Sequence, residues 1–219
     1  NVLPKPLQKP HPPLWVAGMQ PATYELAAKK GLGVLALSTN APWMLSDHIK
    51  RYKADIENAE PVGAFANNQW ANFTVGFCGD DNDEAQSLGA KSIKSIFGPD
   101  RPYVQGFSDV YKKLLNAWGG VPDHLLDAFQ LGLGDEVDLE GGTSPVDYSL
   151  FEKMEPKTLS ERGVIVAGDP DSCAVGVEQH RESGADQLMM VMQTDQVNHE
   201  QVLNSIELFG THVVPRFRD

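Results

Sequence analysis

Cysteine is nearly missing: the 219 residues hold two, Cys78 and Cys173. No CxxC spacing occurs, so neither a disulfide framework nor a thiolate metal site is indicated, and a reducing cytoplasm fits. Long apolar runs are missing too. None approaches the ~18 residues a membrane span requires, and Asn1-Val2-Leu3-Pro4-Lys5-Pro6-Leu7 lacks the apolar core of a signal peptide. Positive charge is scarce: Lys plus Arg is 18 against 30 for Asp plus Glu, a net charge of −12 that argues against nucleic acid or an acidic membrane surface as partner. The acid excess reads instead as solvated helix faces. What is present, 41% hydrophobic and 22% charged residues, is ordinary for a globular chain with one substantial core or two small ones, and excludes disorder and fibrous folds.

The best-marked stretch runs from Pro12 to Ala28, an apolar strand passing through a small-residue turn into a helix. A second apolar run, Leu32 to Leu37, follows at the length of a parallel crossover, so the unit reads as strand, helix, strand. Such a turn suits an anionic group, because the first N–H groups of a helix carry partial positive charge and lack intrahelical partners.

Before it, Pro4, Pro6, Pro10, Pro12 and Pro13 hold residues 1–13 extended as a lead-in. Leu14 to Ala17 reads as a fully buried strand and Pro21 as the first residue of the next helix, with Tyr24, Ala27 and Ala28 on its buried face and Gly31 as its stop. Ser38 to Trp43 reads as a loop, with Trp43 packing over it or touching a ligand, and Leu45, Ile49, Tyr52 and Ile56 form the stripe of the helix beyond. Phe73, Val75 and Phe77 alternate as in a half-buried strand, which makes the sequon Asn72-Phe73-Thr74 a chance match. The acidic run Asp80 to Glu84 opens a helix with Ala85, Leu88, Ile93, Ile96 and Phe97 inward, and carboxylates there complement the helix dipole rather than hold a metal.

From Pro99 to Arg162 the pattern turns irregular, with two short helical stripes and then a Gly- and acid-rich stretch from Gly132 to Tyr148, as in a lid. Gly132-Leu133-Gly134 lacks the strand and helix a dinucleotide fingerprint needs. Strand and helix then return. Val164 to Ala167 is followed by Asp169 as a helix cap with Pro170 first in the helix, Asp186 to Gln193 is an apolar strand with three methionines as core filler, and a last helix carries Val202, Ile206, Phe209 and Val213 before Pro215. About four strands alternating with helices make a parallel α/β pattern, too few for an eight-stranded barrel of about 250 residues.

Pro10 to Ala17, Pro21-Ala22-Thr23-Tyr24-Glu25, Gly168-Asp169-Pro170-Asp171, Gly184-Ala185-Asp186-Gln187, His199-Glu200 and Ser205 to Phe209 running on to Phe217 together resemble the C-terminal half of a bacterial-luciferase-like flavin monooxygenase. The resemblance covers nearly the whole chain and is weakest between about residues 99 and 160. It implies one domain of (β/α)8 TIM-barrel type, present as about strands 5 to 8 with a lid-like insertion at 99–162. It also implies FMN, or in some branches the deazaflavin F420, bound at the barrel mouth. The family's loop after strand 5 holds the flavin phosphate through backbone N–H groups and a Ser or Thr, which places Gly18, Met19, Gln20 and Thr23 at the cofactor. Met19 and Gln20 depart from the acidic and Ser residues of luciferases, and Thr23 has a second reading as a first-turn residue bonding locally. Ser38 and Gln193, each at a strand end, are expected to face substrate. His199 reads either as a base or as a capping or surface residue. The implied activity is oxidation of a small organic substrate, such as an aldehyde or hydrocarbon, by O2 and reduced flavin delivered by a reductase or made with NAD(P)H. The implied partner is a second copy or a missing N-terminal half, the alternative being a non-catalytic fragment that a partner must complete.

Overall fold

Strand β1, Trp15–Gly18, leads into helix α1, Pro21–Lys29, and strand β2, Gly33–Ala36, returns parallel to β1 with Trp15 opposite Gly33 and Gly18 opposite Ala36. This computed structural model describes residue 3 and residues 5–36, 41–97 and 154–218. The two helical stripes expected between 99 and 153, the Gly-rich lid and Ser38 lie outside the described residues. The chain divides into two units: Asn1–Ser38, Pro42–Phe73 and His180–Met189 form the first, and Thr39–Ala41, Thr74–Gln179 and Met190–Asp219 the second.

In the first unit α1 buries Tyr24, Ala27 and Ala28, as their spacing requires, and Gly31 takes a φ of 64° to turn the chain into β2. Helix α2, Pro42–Asp55, and the 3-10 turn Ile56–Asn58 bury Leu45, Ile49, Tyr52 and Ile56 against that face. Each such aliphatic side chain contributes about 1.5–3 kcal/mol on leaving water. The helix starts two residues earlier than the loop reading predicts, at Pro42, which suits a first helical position. Trp43 is therefore helical and 62% exposed instead of packed over a loop.

The aromatic centre of this unit is Trp70, the first residue of β3, Trp70–Cys78, with the Tyr24 ring 4.7 Å and the Tyr52 ring 5.4 Å away. The Tyr52 hydroxyl lies 2.9 Å from the Leu32 carbonyl oxygen and 3.0 Å from that of Asn67, and burial drives the phenols of Tyr24 and Tyr52 to ionise at higher pH than usual. β2 pairs parallel with the first residues of β3 through Val34 opposite Trp70. Among the described residues β1 pairs on one side only and so is an edge, half-buried with Ala17 exposed and not the fully buried strand its composition suggests.

In the second unit the last residues of β3 pair parallel with β4, Ile165–Gly168, Val75 opposite Ile165 and Cys78 opposite Gly168. β3 is buried on both faces along nearly all its length, contrary to the half-buried alternation, because its inward polar residues are paired: the Thr74 hydroxyl donates to Val164 O at 2.8 Å. Helix α3, Asn82–Phe97, is capped by Asp81, whose Oδ1 accepts from Glu84 N at 2.9 Å, and buries Ala85 and Ile93. Among the described residues no acidic or His/Cys cluster could hold a metal. Helix α4, Pro156–Glu161, precedes β4, and α5, Pro170–Glu182, starts as read, Asp169 Oδ1 accepting from Ser172 N at 2.8 Å.

Strand β5, Gln187–Val191, also pairs with β3, giving five strands among the described residues where about four are expected. Its methionines are half-buried, and Met190 lies so close over Gly76 that a Cβ there would meet its sulfur at 2.8 Å. Helix α6, His199–Leu208, runs into a π turn, Phe209–Val213, and a 3-10 turn, Val214–Phe217, so Pro215 sits inside a helical turn instead of ending one. Its buried stripe is Val202, Ser205, Phe209 and Val213, while Ile206 is 49% exposed, because the inward row steps by three from Val202 to Ser205. No described helix is long and apolar enough to cross a membrane.

Candidate functional site

The turn between β1 and α1 brings Gly18, Met19, Gln20 and Thr23 together within the first unit. Gly18 is small for a reason: a Cβ on it would lie 2.4 Å from Thr23 Cγ2 and 2.9 Å from Thr23 Cβ, so the threonine packs directly on the strand end. Thr23 N and Tyr24 N both donate to Gln20 O, at 2.9 and 3.3 Å, so Thr23 can offer a ligand only its hydroxyl. That hydroxyl has no partner among the described residues, which leaves the local-bonding reading of Thr23 without a contact to support it. Pro21 has no N–H, and the N–H groups of Met19, Gln20 and Ala22 have no protein acceptor among the described residues.

The start of α1 also differs from the starts of α3, α5 and α6. Those three are closed by side-chain oxygens, Asp81 on Glu84 N, Asp169 on Ser172 N, and Asn198 on Gln201 N, and each has an acid in its first turn. α1 has Gln20 at its cap with no side-chain hydrogen bond, and no acid in its first turn. An anion there meets the positive end of the helix dipole without a competing carboxylate. A hydroxyl, three backbone donors and a glycine floor fit a phosphate group.

Gln193 follows β5 in the second unit, exposed, and Ser38 lies outside the described residues. His199 is the exposed first residue of α6, and Asn198 does the capping there, with Gln201 Oε1 accepting from Asn198 N at 3.0 Å in return.

Two arrangements escape sequence reading. In the first unit Trp70 Nε1 donates to Asn72 Oδ1 at 2.9 Å, Asn72 Nδ2 donates to Ser183 Oγ at 3.1 Å and lies 3.1 Å from His180 Nδ1, and all four residues are buried. A polar Asn inside an apolar strand is the signal that marks this cluster. Beside it, Asp186 Oδ2 accepts from Trp70 N at 2.6 Å and forms an ion pair with Lys53. In the second unit Cys173, 95 positions after Cys78 in sequence, has its sulfur 3.8 Å from Phe77 O and 3.6 Å from Gly168 O, against the strand that Cys78 ends.

The family model described as luciferase-like monooxygenase matches residues 1–187. The chain belongs to the luciferase-like monooxygenase family. No curated protein matches it. Among solved structures it is similar to monooxygenase RslO1 from Streptomyces bottropensis, with 17% identity, 99% of this chain and 51% of that one covered, and a TM-score of 0.60. It is also similar to the coenzyme F420 dependent tetrahydromethanopterin reductase from Methanopyrus kandleri, with 17% identity, 94% and 51% covered, and a TM-score of 0.51. Likeness at that identity is one of fold, a mixed α/β chain built on a parallel sheet. This luciferase-like chain spans about half the length of those structures.

Proposed function

We propose that this chain is part of a flavin-dependent oxidoreductase and that its β1–α1 turn holds the phosphate group of the cofactor, FMN or the deazaflavin F420. The observation that carries the reading is the open start of α1, where the Thr23 hydroxyl and the N–H groups of Met19, Gln20 and Ala22 have no partner among the described residues. Family membership and the F420-dependent similar structure support a flavin-type group as the anion's owner. When bound, the reduced flavin supplies the electrons that activate O2 toward a small organic substrate, such as an aldehyde or hydrocarbon. The protein's part at this turn is to bind and orient one end of the cofactor. Ser38 and Gln193 are the proposed substrate contacts, and reducing equivalents arrive as reduced flavin from a reductase or from NAD(P)H.

A second reading has this chain as a half barrel, about strands 5 to 8, which a second copy or another polypeptide completes. It draws on the outer edge of β1, unpaired among the described residues, and on the half-length match to the similar structures. Absorbance and fluorescence titration of the purified chain with FMN and with F420, followed by O2 consumption with the reduced cofactor, tests both. Binding with turnover supports the first reading for this chain alone. Recovery of both only on adding a polypeptide of about four further strand and helix units supports the second, and no binding in either case sinks the flavin assignment.

A further inference from the structure

We propose that His11 is a pH-sensitive latch: its neutral imidazole ties the proline-rich lead-in to the loop before β3, and a second ring proton opens it. Lead-in and loop belong to the same unit, and neither contains a residue of the β1–α1 turn, so the latch stands apart from the flavin reading. His11 Nδ1 lies 2.7 Å from Pro12 O, and His11 Nε2 lies 2.8 Å from Ala64 N. A carbonyl oxygen only accepts and a backbone N–H only donates. The two contacts therefore fix one form of the ring, with its hydrogen on Nδ1 and a bare lone pair on Nε2. The ring also stacks on Phe65, with centroids 4.6 Å apart and planes 9° from parallel. Gly63 makes the room for it, since a Cβ there would lie 2.5 Å from Nε2 and 2.7 Å from Cε1.

The loop is anchored without His11. Glu60 N, Val62 N and Asn67 N donate to Lys29 O, Lys30 O and Gly31 O at 2.9, 3.1 and 2.9 Å, which ties the loop to the end of α1. The lead-in has no such hold: residues 5–10 are exposed, and among the described residues none of them makes a hydrogen bond or an ion pair. Three residues beyond His11 the chain is fixed again, where Leu14 O accepts from Gly33 N at 2.9 Å and from Asn67 Nδ2 at 3.0 Å. The lead-in is the part that moves when the latch opens.

A second proton, taken from water, has one place to go. On Nε2 it would point at the Ala64 N–H, setting donor against donor across 2.8 Å, so the charged ring has to leave its seat and uncover Phe65. No carboxylate offsets that charge. The ring's partners among the described residues are Pro12, Gly63, Ala64 and Phe65, none of which ionises, and His11 forms no ion pair there. The charges nearest in sequence are Lys9 on the lead-in and Glu60 ahead of the loop. The closed latch excludes a proton that a released imidazole takes up in its ordinary range, near pH ~6.5. It is therefore closed above that range and weakens below it, by up to about tenfold per pH unit.

The test follows the folded, 15N-labelled 219-residue chain by NMR at about pH 7.5 and about pH 5.5, either side of the imidazole range. Exchange of the Ala64 amide is compared with that of Asn67, whose N–H bonds Gly31 O and not His11. At the higher pH the ring nitrogen signals should show a hydrogen on Nδ1 and none on Nε2. On acidification Ala64 protection, corrected for the intrinsic exchange rate, should fall about 10-fold while Asn67 keeps its own. His11→Phe offers a ring to stack but no acceptor, and should leave the Ala64 amide unprotected at both pH values. Equal Ala64 protection at the two pH values, a parallel loss at Asn67, or a ring protonated on Nε2 at the higher pH would each overturn the proposal. The unsubstituted chain decides the matter even if the variant fails to fold.

Discussion

Thr23 carries the sharpest expectation at the scale of single residues. Its hydroxyl has no partner among the described residues, so Thr23→Ala breaks no hydrogen bond among them and loses only the methyl packed on Gly18, but it deletes a donor to a charged group, worth about 1.5–3 kcal/mol. FMN affinity should fall about 10- to 100-fold with the melting temperature nearly unchanged, as titration and calorimetry would read. Gly18→Ala should do the reverse in part: the added methyl collides with Thr23, at a cost of about 1–3 kcal/mol in stability. Tyr52 gives a pH signature. Its folded-state phenol ionises well above the ordinary tyrosine value because of burial first and the Asp186 charge second, so the unfolded chain loses that proton first as pH rises. The stabilisation is therefore full below pH about 10 and declines above it by about 1.4 kcal/mol per pH unit for each such tyrosine. Urea unfolding between pH 9 and 11.5 should show the decline, and Tyr52→Phe should flatten it.

At the scale of elements, what was legible in the sequence was local. The Tyr24, Ala27 and Ala28 face of α1, the α2 stripe and the Asp169-Pro170 start of α5 follow from periodicity and capping chemistry, which a short window contains. Apart from the early start of α2 and the turn that holds Pro215, the misreadings concern what lies across from an element. Whether β1 is central or an edge, whether β3 is covered on both faces, and which way Ile206 points depend on strands and helices distant in sequence. The Asn72 cluster belongs here too, since its partners His180 and Ser183 arrive more than a hundred residues later. Asn72→Ala strands the buried Trp70 indole N–H and the groups around His180, and should cost about 2–4 kcal/mol by chemical denaturation. Ile206→Ala should stay within about 0.5 kcal/mol, whereas Ile49→Ala should cost about 2–5 kcal/mol. Equal losses at the two isoleucines would contradict the assignment of faces.

For the whole molecule, strand and helix alternation was enough to identify a parallel α/β chain, because the crossover rule ties sequence order to parallel pairing. The attachment of β5 to β3 was not readable, since strand order is decided by packing and leaves no local mark. Of the candidate site, the strand-turn-helix that carries Gly18 to Thr23 was legible because it is written in consecutive residues, and the structure adds which donors there have no partner among the described residues: one hydroxyl and the N–H groups of Met19, Gln20 and Ala22. Half the length of the similar structures is present, so one end of a cofactor is what this chain is proposed to hold. The most direct measurement is a parallel titration of the chain and its Thr23→Ala variant with FMN and with riboflavin, which lacks the phosphate. The account predicts saturable binding of FMN, markedly weaker binding of riboflavin, and a loss on substitution confined to FMN. Equal affinity for the two flavins, or FMN binding indifferent to Thr23→Ala in a folded variant, would contradict it.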